Sequence, residues 1–299
     1  MNSRHNSPAT LVIRIRLSNK SKAYLDQPAL PVSPPAPVHR PFSIWAHMEL
    51  EHIVDRFAEG LKFVDLNSLY IGSNQRTGAT YLPGVPTMPE INVSKEVLAW
   101  WVKTYPGDFS PSNAQQTEVP YKNIPRAKCD IVFSSDGNWP SLPEWAIEVK
   151  RIQFVGDNGK NNDYNVPKIL SPYLKDRSLI HDIRRMRNHP IARFQAVVGY
   201  AFSYDFETCK EALNRHPAES ARVSEIELVC KKNNPKSGVL ESNDLIENAD
   251  LQFKNAGVVN KLVTKPFSDL WRHPCGGKGN VFAWQVEPAP RVPEGRHQD

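Results

Sequence analysis

The sequence predicts a mixed α/β (α+β) fold, a central mixed sheet flanked by helices. Three observations carry that expectation: apolar residues at helical spacing before residue 105, three short strand-like segments in close succession, and a nearly continuous apolar run, Phe194–Phe202, behind a further helical stretch. The resulting order of helix, three strands, helix and strand excludes a repeat array and an all-helical bundle. With 299 residues and 40% hydrophobic content the chain is long enough for one large domain with a real core.

The elements follow in order. Leu50, Ile53, Val54, Phe57, Ala58 and Leu61 recur at three and four residues, which predicts a helix over Met48–Phe63. A second helix is expected from about Ser94 to Tyr105, with Ser94 as N-cap and Val97, Leu98, Trp101 and Val102 on the buried face. Strands are expected at Thr117–Lys122, Lys128–Ser134 and Glu144–Phe154. The Asp136-Gly137 turn signal makes the last two an antiparallel hairpin. A helix from about Pro172 to Asn188 then leads to FQAVVGYAF, the pattern of a strand buried on both faces. Beyond it the reading gives a helix near Phe206–Asn214, a strand at Val223–Lys231, a strand at Val281–Val286 and a frayed end from Pro288.

The first 44 residues differ in kind. They hold seven of the 26 prolines and six bases (Arg4, Arg14, Arg16, Lys20, Lys22, Arg40) against one acid, Asp26. Such a composition cannot build a packed core and predicts a disordered tail, with a single domain over residues 45–299. Met48 opens the first helical pattern directly after the tail, which raises translation from Met48 as an alternative start. The remaining 255 residues carry 31 bases and 31 acids. The net charge of +5 is therefore no nucleic-acid footprint in itself, and any such footprint must be local.

No apolar run approaches the roughly 20 residues of a membrane span, and mean hydropathy is −0.49. The segment LVIRIRL at Leu11–Leu17 is too short and too charged for a signal-peptide core. The four cysteines (Cys129, Cys209, Cys230, Cys275) form no CxxC pair and have no His at zinc-ligand spacing. Reduced thiols in a cytoplasmic protein are the expectation.

The chemistry-bearing stretch is Lys128–Phe154. On its second strand Trp145, Ile147 and Val149 alternate with Ala146, Glu148 and Lys150, so a period of two puts Glu148 and Lys150 on one face. If the hairpin register aligns them, Asp130 faces the same spot. Two carboxylates that close resist joint ionisation unless a cation lies between them. Oxygen ligands of this kind favour Mg²⁺, with Mn²⁺ as the substitute, and a neighbouring Lys can orient or deprotonate an attacking water and stabilise charge on a phosphoryl transition state.

These residues resemble the PD-(D/E)xK nuclease superfamily, the restriction-endonuclease-like proteins. The resemblance covers roughly residues 90–205 and implies an αβββαβ core with Asp130 as the first acid, Glu148 as the second, Lys150 as the lysine, and the Val149 carbonyl as a further metal ligand. It also implies an accessory acid on the preceding helix, for which Glu96 is the better match and Glu90, just outside the expected helix, the poorer. Cys129 stands where the family pattern has proline. Glu148-Val149-Lys150 is the only (D/E)xK triplet in the chain. A bare triplet is expected about once by composition alone, so its weight comes from the strand and hairpin around it. The bland alternative is an exposed ion pair on a half-solvated sheet.

A local basic patch accompanies the motif. Between Lys168 and Arg193 lie seven bases (Lys168, Lys175, Arg177, Arg184, Arg185, Arg187, Arg193) and two acids, Asp176 and Asp182. As a cluster they are expected to grip phosphates beside the metal, while any one of them also suits a solvated amphipathic helix over Leu174, Leu179, Ile183 and Met186. Cys275-Gly-Gly-Lys-Gly279 lacks the upstream glycine and the following Ser/Thr of a P-loop. His181 and His189 lack the partners of a ββα-metal nuclease motif, and Gln195 with Tyr200 does not match a QxxxY signature. The functional expectation is a Mg²⁺-dependent nuclease that hydrolyses phosphodiester bonds, with DNA as the expected partner and a homodimer suited to double-strand cleavage. A catalytically silent nucleic-acid-binding or interaction domain of the same fold is the alternative.

Overall fold

The computed structural model describes residues 47–73, 78, 80–81, 83–152, 178–203, 242–268, 270 and 278–289. The expected N-terminal tail, the helix near Phe206–Asn214, the strand at Val223–Lys231 and the glycine-rich Cys275–Gly279 segment up to Gly277 lie outside these residues. All described residues fall in one compact unit, His39–Asp299.

The first helix, α1 (Leu50–Asn67), runs one turn beyond its expected end and buries Leu50, Ile53, Val54, Phe57, Leu61 and Val64. The second, α2 (Glu90–Thr104), begins a full turn earlier than expected. Pro89 takes the N-cap position, and Ser94 is an interior residue whose hydroxyl donates back to the Glu90 carbonyl at 2.9 Å. A serine reads as a cap by composition, but it also sits inside a helix when its hydroxyl has a carbonyl one turn back. The early start matters because it makes Glu90 a first-turn residue. Gly60 of α1 lets the two helices approach: a Cβ there would meet the Trp100 ring at 2.8 Å.

Strands β1 (Gln115–Pro120), β2 (Lys128–Phe133), β3 (Trp145–Ile152) and β4 (Phe194–Phe202) follow, with α3 (Leu179–Asn188) between β3 and β4. The chain then adds α4 (Ser242–Asn255), β5 (Val259–Phe267) and β6 (Gly279–Val286). The six strands form one mixed sheet in the order β1-β2-β3-β4-β6-β5. Only β3 and β4 pair in parallel, and the other neighbours are antiparallel. β1 begins and ends two residues before its expected position. β4 and β6 are central and buried along nearly their whole length, as their continuous apolar runs require.

Helices cover both faces. Trp145 Nε1 donates to the Met48 carbonyl at 2.9 Å and Phe57 packs against Tyr200, which places α1 on one side. On the other, Trp284 Nε1 donates to Asp250 of α4, and the side chains of Glu148 and Lys150 reach α3. Gly199 is fixed by this packing, because the Phe282 ring lies across it in the β4–β6 register and a Cβ would come within 2.0 Å of the ring. The architecture is a mixed α/β fold, a six-stranded mixed sheet flanked by helices.

Candidate active site

The site is built on a fork in the sheet. β2 and β3 pair at Phe133–Trp145, Val132–Ala146 and Ile131–Ile147, and the ladder stops there. Beyond that point side chains take over from the backbone. The Val149 N–H donates to Asp130 Oδ2 at 2.7 Å, and the Arg151 N–H donates to Glu90 Oε1 at 3.1 Å. The Cys129 thiol reaches the Ile147 carbonyl at 3.3 Å. A buried N–H left without an acceptor costs about 1–3 kcal/mol, so the two carboxyls that replace the missing ladder are held by the strand edge itself.

On the α3 side of β3, Glu148 and Lys150 are 4% and 9% exposed, so the exposed ion-pair reading is excluded. Their partners come from two directions. Tyr121, directly after β1, donates its hydroxyl to Glu148 Oε1 at 2.7 Å. Arg185 of α3 donates Nη2 to the same oxygen at 2.7 Å and to Asp182 Oδ1 at 2.6 Å. Lys150 Nζ lies 3.0 Å from Asp182 Oδ2 and 3.8 Å from Glu90 Oε2. The α2 end that carries Glu90 is anchored by the Arg151 guanidinium, which donates to the Pro86 and Met88 carbonyls.

Among the described residues, four carboxyl groups (Glu90, Asp130, Glu148, Asp182) thus lie about two cationic groups, Lys150 and Arg185. The imbalance is visible in protonation. Burial raises the Asp130 carboxyl from 3.8 to about 6, over the opposing pull of the Val149 N–H and Lys150. Burial, then the neighbouring Asp182 and Asp130 carboxyls, raise Glu148 well above the carboxylate range, although Arg185 and Tyr121 favour its charged form. Burial would lower Lys150, but Asp182 and Glu90 outweigh it and hold the amine above its ordinary value. Lys150 is a permanent cation at neutral pH and no base. Burial likewise pushes the Tyr121 hydroxyl and the Cys129 thiol up, so neither ionises.

Among the described residues no three His, Cys, Asp or Glu side chains stand together in a metal-ligand arrangement. A divalent ion would therefore rest on two carboxylates, a carbonyl and water, which is what Mg²⁺ accepts. The donor set suits that ion. The hydrogen bonds described fall on Oδ2 of Asp130 and Oε1 of Glu148, which leaves the second oxygen of each carboxyl for a cation. The Val149 carbonyl leaves the strand on the same edge as its N–H, towards the open fork.

Asp130, Glu148 and Lys150 are brought together as expected of the triplet and its partner strand. Glu96 is not. Its Oε1 accepts from the Ser68 hydroxyl at 3.0 Å, away from the cluster, and Glu90 is the helix acid that reaches Lys150. The expected order of these two acids is reversed because α2 starts at Glu90. The basic patch is also redistributed. Lys168, Lys175 and Arg177 lie outside the described residues, Arg185 turns inward onto Glu148 and Asp182, and Arg187 donates to the Gly257 carbonyl at 2.9 Å. Arg184 alone of the described α3 arginines is exposed. Asp182 and Tyr121 join the site although the sequence pattern does not single them out. Asp182 sits three residues after Leu179 on the apolar stripe of α3, and an acid on a buried stripe is the signal that could have found it. Nothing local in the sequence marks Tyr121.

No protein-family model matches the chain, and no curated protein or solved structure matches it either. The class of the protein therefore rests on its own fold, a mixed α/β sheet flanked by helices, and on a buried charge cluster at a fork between two of its strands.

Proposed function

We propose that the protein is a metal-dependent nuclease of restriction-endonuclease-like fold that hydrolyses phosphodiester bonds in DNA. The observation that carries this reading is the convergence of Asp130, Glu148 and Lys150 at the β2–β3 fork. The element order α2-β1-β2-β3-α3-β4 supports it as an αβββαβ arrangement.

Asp130, Glu148 and the Val149 carbonyl would hold Mg²⁺ or Mn²⁺. Such an ion would supply Lewis-acid polarisation of a phosphate oxygen and an acidified water. The chain's own residues do the rest. Tyr121 and Arg185 fix the Glu148 carboxyl in one orientation, and Val149 fixes that of Asp130. Lys150, kept protonated by Asp182 and Glu90, presents an ammonium to the negative charge that grows on the phosphate, and a fixed cation in a buried site stabilises such charge without reorganising.

A second reading has one observation in its favour: Arg185 already sits on Glu148, so the cluster could be an internally neutralised structural element of a silent binding domain. Incubating purified protein with Mg²⁺ or Mn²⁺ and plasmid, single-stranded DNA or RNA decides between them. Cutting that is lost on adding EDTA and in both Asp130→Ala and Lys150→Ala is expected. Cutting retained in both variants, or no cutting of any substrate, overturns the nuclease reading.

A further inference from the structure

A substrate phosphate must approach a cluster that is itself acidic, and this repulsion has to be offset by cations close by. The inward-facing Arg185 and the Gly257-bound Arg187 do not provide them. The β1–β2 loop carries exposed ones. From Pro120 to Lys128 it contains Lys122, Arg126 and Lys128 and no acid. Lys122 and Arg126 are exposed and have no ion-pair partner among the described residues, and Lys128 lies 3.6 Å from Glu118.

The loop is built rather than loose. Tyr121 N–H donates to the Ala127 carbonyl, Ile124 N–H to Tyr121 and Ala127 N–H to Ile124, so three short-range hydrogen bonds set its shape. Arg126 is held at φ 66°, a conformation that L-residues rarely adopt. Within the loop is a concavity of about 450 Å³ lined by its own residues, the apolar Pro120, Ile124 and Pro125 and the cations Lys122, Arg126 and Lys128 among them. Tyr121 is the connection: it belongs to this wall and its hydroxyl holds Glu148.

We propose that the Pro120–Lys128 loop is a phosphate-binding site that takes the nucleic-acid backbone next to the bond being cut, with Lys122 and Arg126 as its contacts. A lining of apolar and cationic side chains suits a sugar-phosphate chain, whose charged and apolar parts alternate, and phosphate contacts position a strand without reading its sequence. The inference rests on the nuclease reading and adds to it where the strand lies.

The test is fluorescence anisotropy of a labelled 20-base-pair DNA in EDTA, where binding proceeds without cleavage, over a range of salt concentrations. The Lys122→Glu/Arg126→Glu double variant is expected to bind at least tenfold more weakly. The slope of log affinity against log salt should become shallower by about two, near 0.9 for each phosphate that the variant no longer neutralises. A charge-matched control, Lys261→Glu/Lys265→Glu on β5 at the opposite edge of the sheet, should keep the slope. Lys122 and Arg126 are exposed, so the loop variant should keep its thermal unfolding within a few degrees, whereas the control also loses ion pairs to Glu51 and Asp55, and circular dichroism identifies any variant that misfolds. Wild-type affinity and slope in the loop variant, or an equal loss in the control, overturns the loop assignment while wild-type cutting still stands. Wild-type protein that neither binds nor cuts DNA overturns the nuclease reading itself.

Discussion

The Asp130 carboxylate accepts the Val149 N–H at 2.7 Å and so closes the position at which the β2–β3 ladder ends. One side chain thereby does a backbone's structural work and carries an acid to the proposed metal. The two roles separate in Asp130→Asn, since an amide oxygen still accepts from Val149. Near pH 4, where Asp130 is protonated in the fold, stability by urea titration should change by no more than about 1 kcal/mol, whereas cleavage at neutral pH should fall by at least about 10²-fold. An Asn variant that cuts at the wild-type rate would remove Asp130 from the chemistry.

The same carboxyl sets a pH dependence. Its native value, about 6, lies above the ordinary 3.8, so the folded protein binds that proton more tightly than the unfolded chain. The contribution is full below about pH 4 and is lost as pH rises through about 6, with a total on the order of 3 kcal/mol. Without metal, the stability of wild-type protein relative to Asp130→Asn should therefore decline between pH 4 and 7. Mn²⁺ affinity measured by calorimetry should rise over the same interval, because the proton and the ion compete. A flat difference across that range would contradict the assignment.

Arg185 is the larger structural risk. Removing it leaves Glu148 and Asp182 buried with less positive charge, and breaking a buried pair on one side costs about 3–5 kcal/mol. Arg185→Met should lower the urea midpoint accordingly, and Tyr121→Phe, which removes one donor, should cost about 1–3 kcal/mol. An unchanged midpoint for Arg185→Met would mean that the guanidinium is not a counter-ion to this cluster.

Glu90 and Glu96 provide a paired contrast. Glu90→Ala strips the Arg151 N–H of its acceptor and Lys150 of one neighbour, for an expected loss of about 1–3 kcal/mol together with reduced cleavage. Glu96→Gln keeps a hydrogen-bonding partner for Ser68 and should alter neither by more than about 0.5 kcal/mol or twofold. The reverse ranking would restore Glu96 as the accessory acid.

Packing gives a control remote from this chemistry. Gly199→Ala would drive a methyl into the Phe282 ring, and overpacking of this kind costs about 1–3 kcal/mol. Differential scanning calorimetry of the variant should show a lower Tm, and an unaltered Tm would mean that the ring moves freely aside.

Residues with a strong period are legible in the sequence itself. The α1 stripe, the hairpin at Asp136-Gly137 and the doubly buried β4 all follow from spacing alone, and so does the shared face of Glu148 and Lys150. The features that the pattern misplaces have physical reasons. Ser94 competes as a cap and as an interior residue, and only tertiary packing decides between them. α4 and β5 have weak local signals: β5 alternates poorly at the sheet edge and carries Pro266, a residue that argues against an interior strand. Tyr121 and Asp182 reach the β3 residues Glu148 and Lys150 through pairings 27 and 32 positions apart, which no local window contains.

The charge cluster draws on α2, β2, β3 and α3, and α3 is set in place by the parallel pairing of β3 with β4, whose last residue is Phe202. No fragment that ends before Arg185 contains all its members. Parallel pairings across such a crossover are among the later contacts a chain makes. A nascent chain therefore carries these acids and bases before it has an assembled centre, and the cluster proposed for hydrolysis forms only once β3 and β4 have paired. The fold in this sense times the assembly of its own charge cluster.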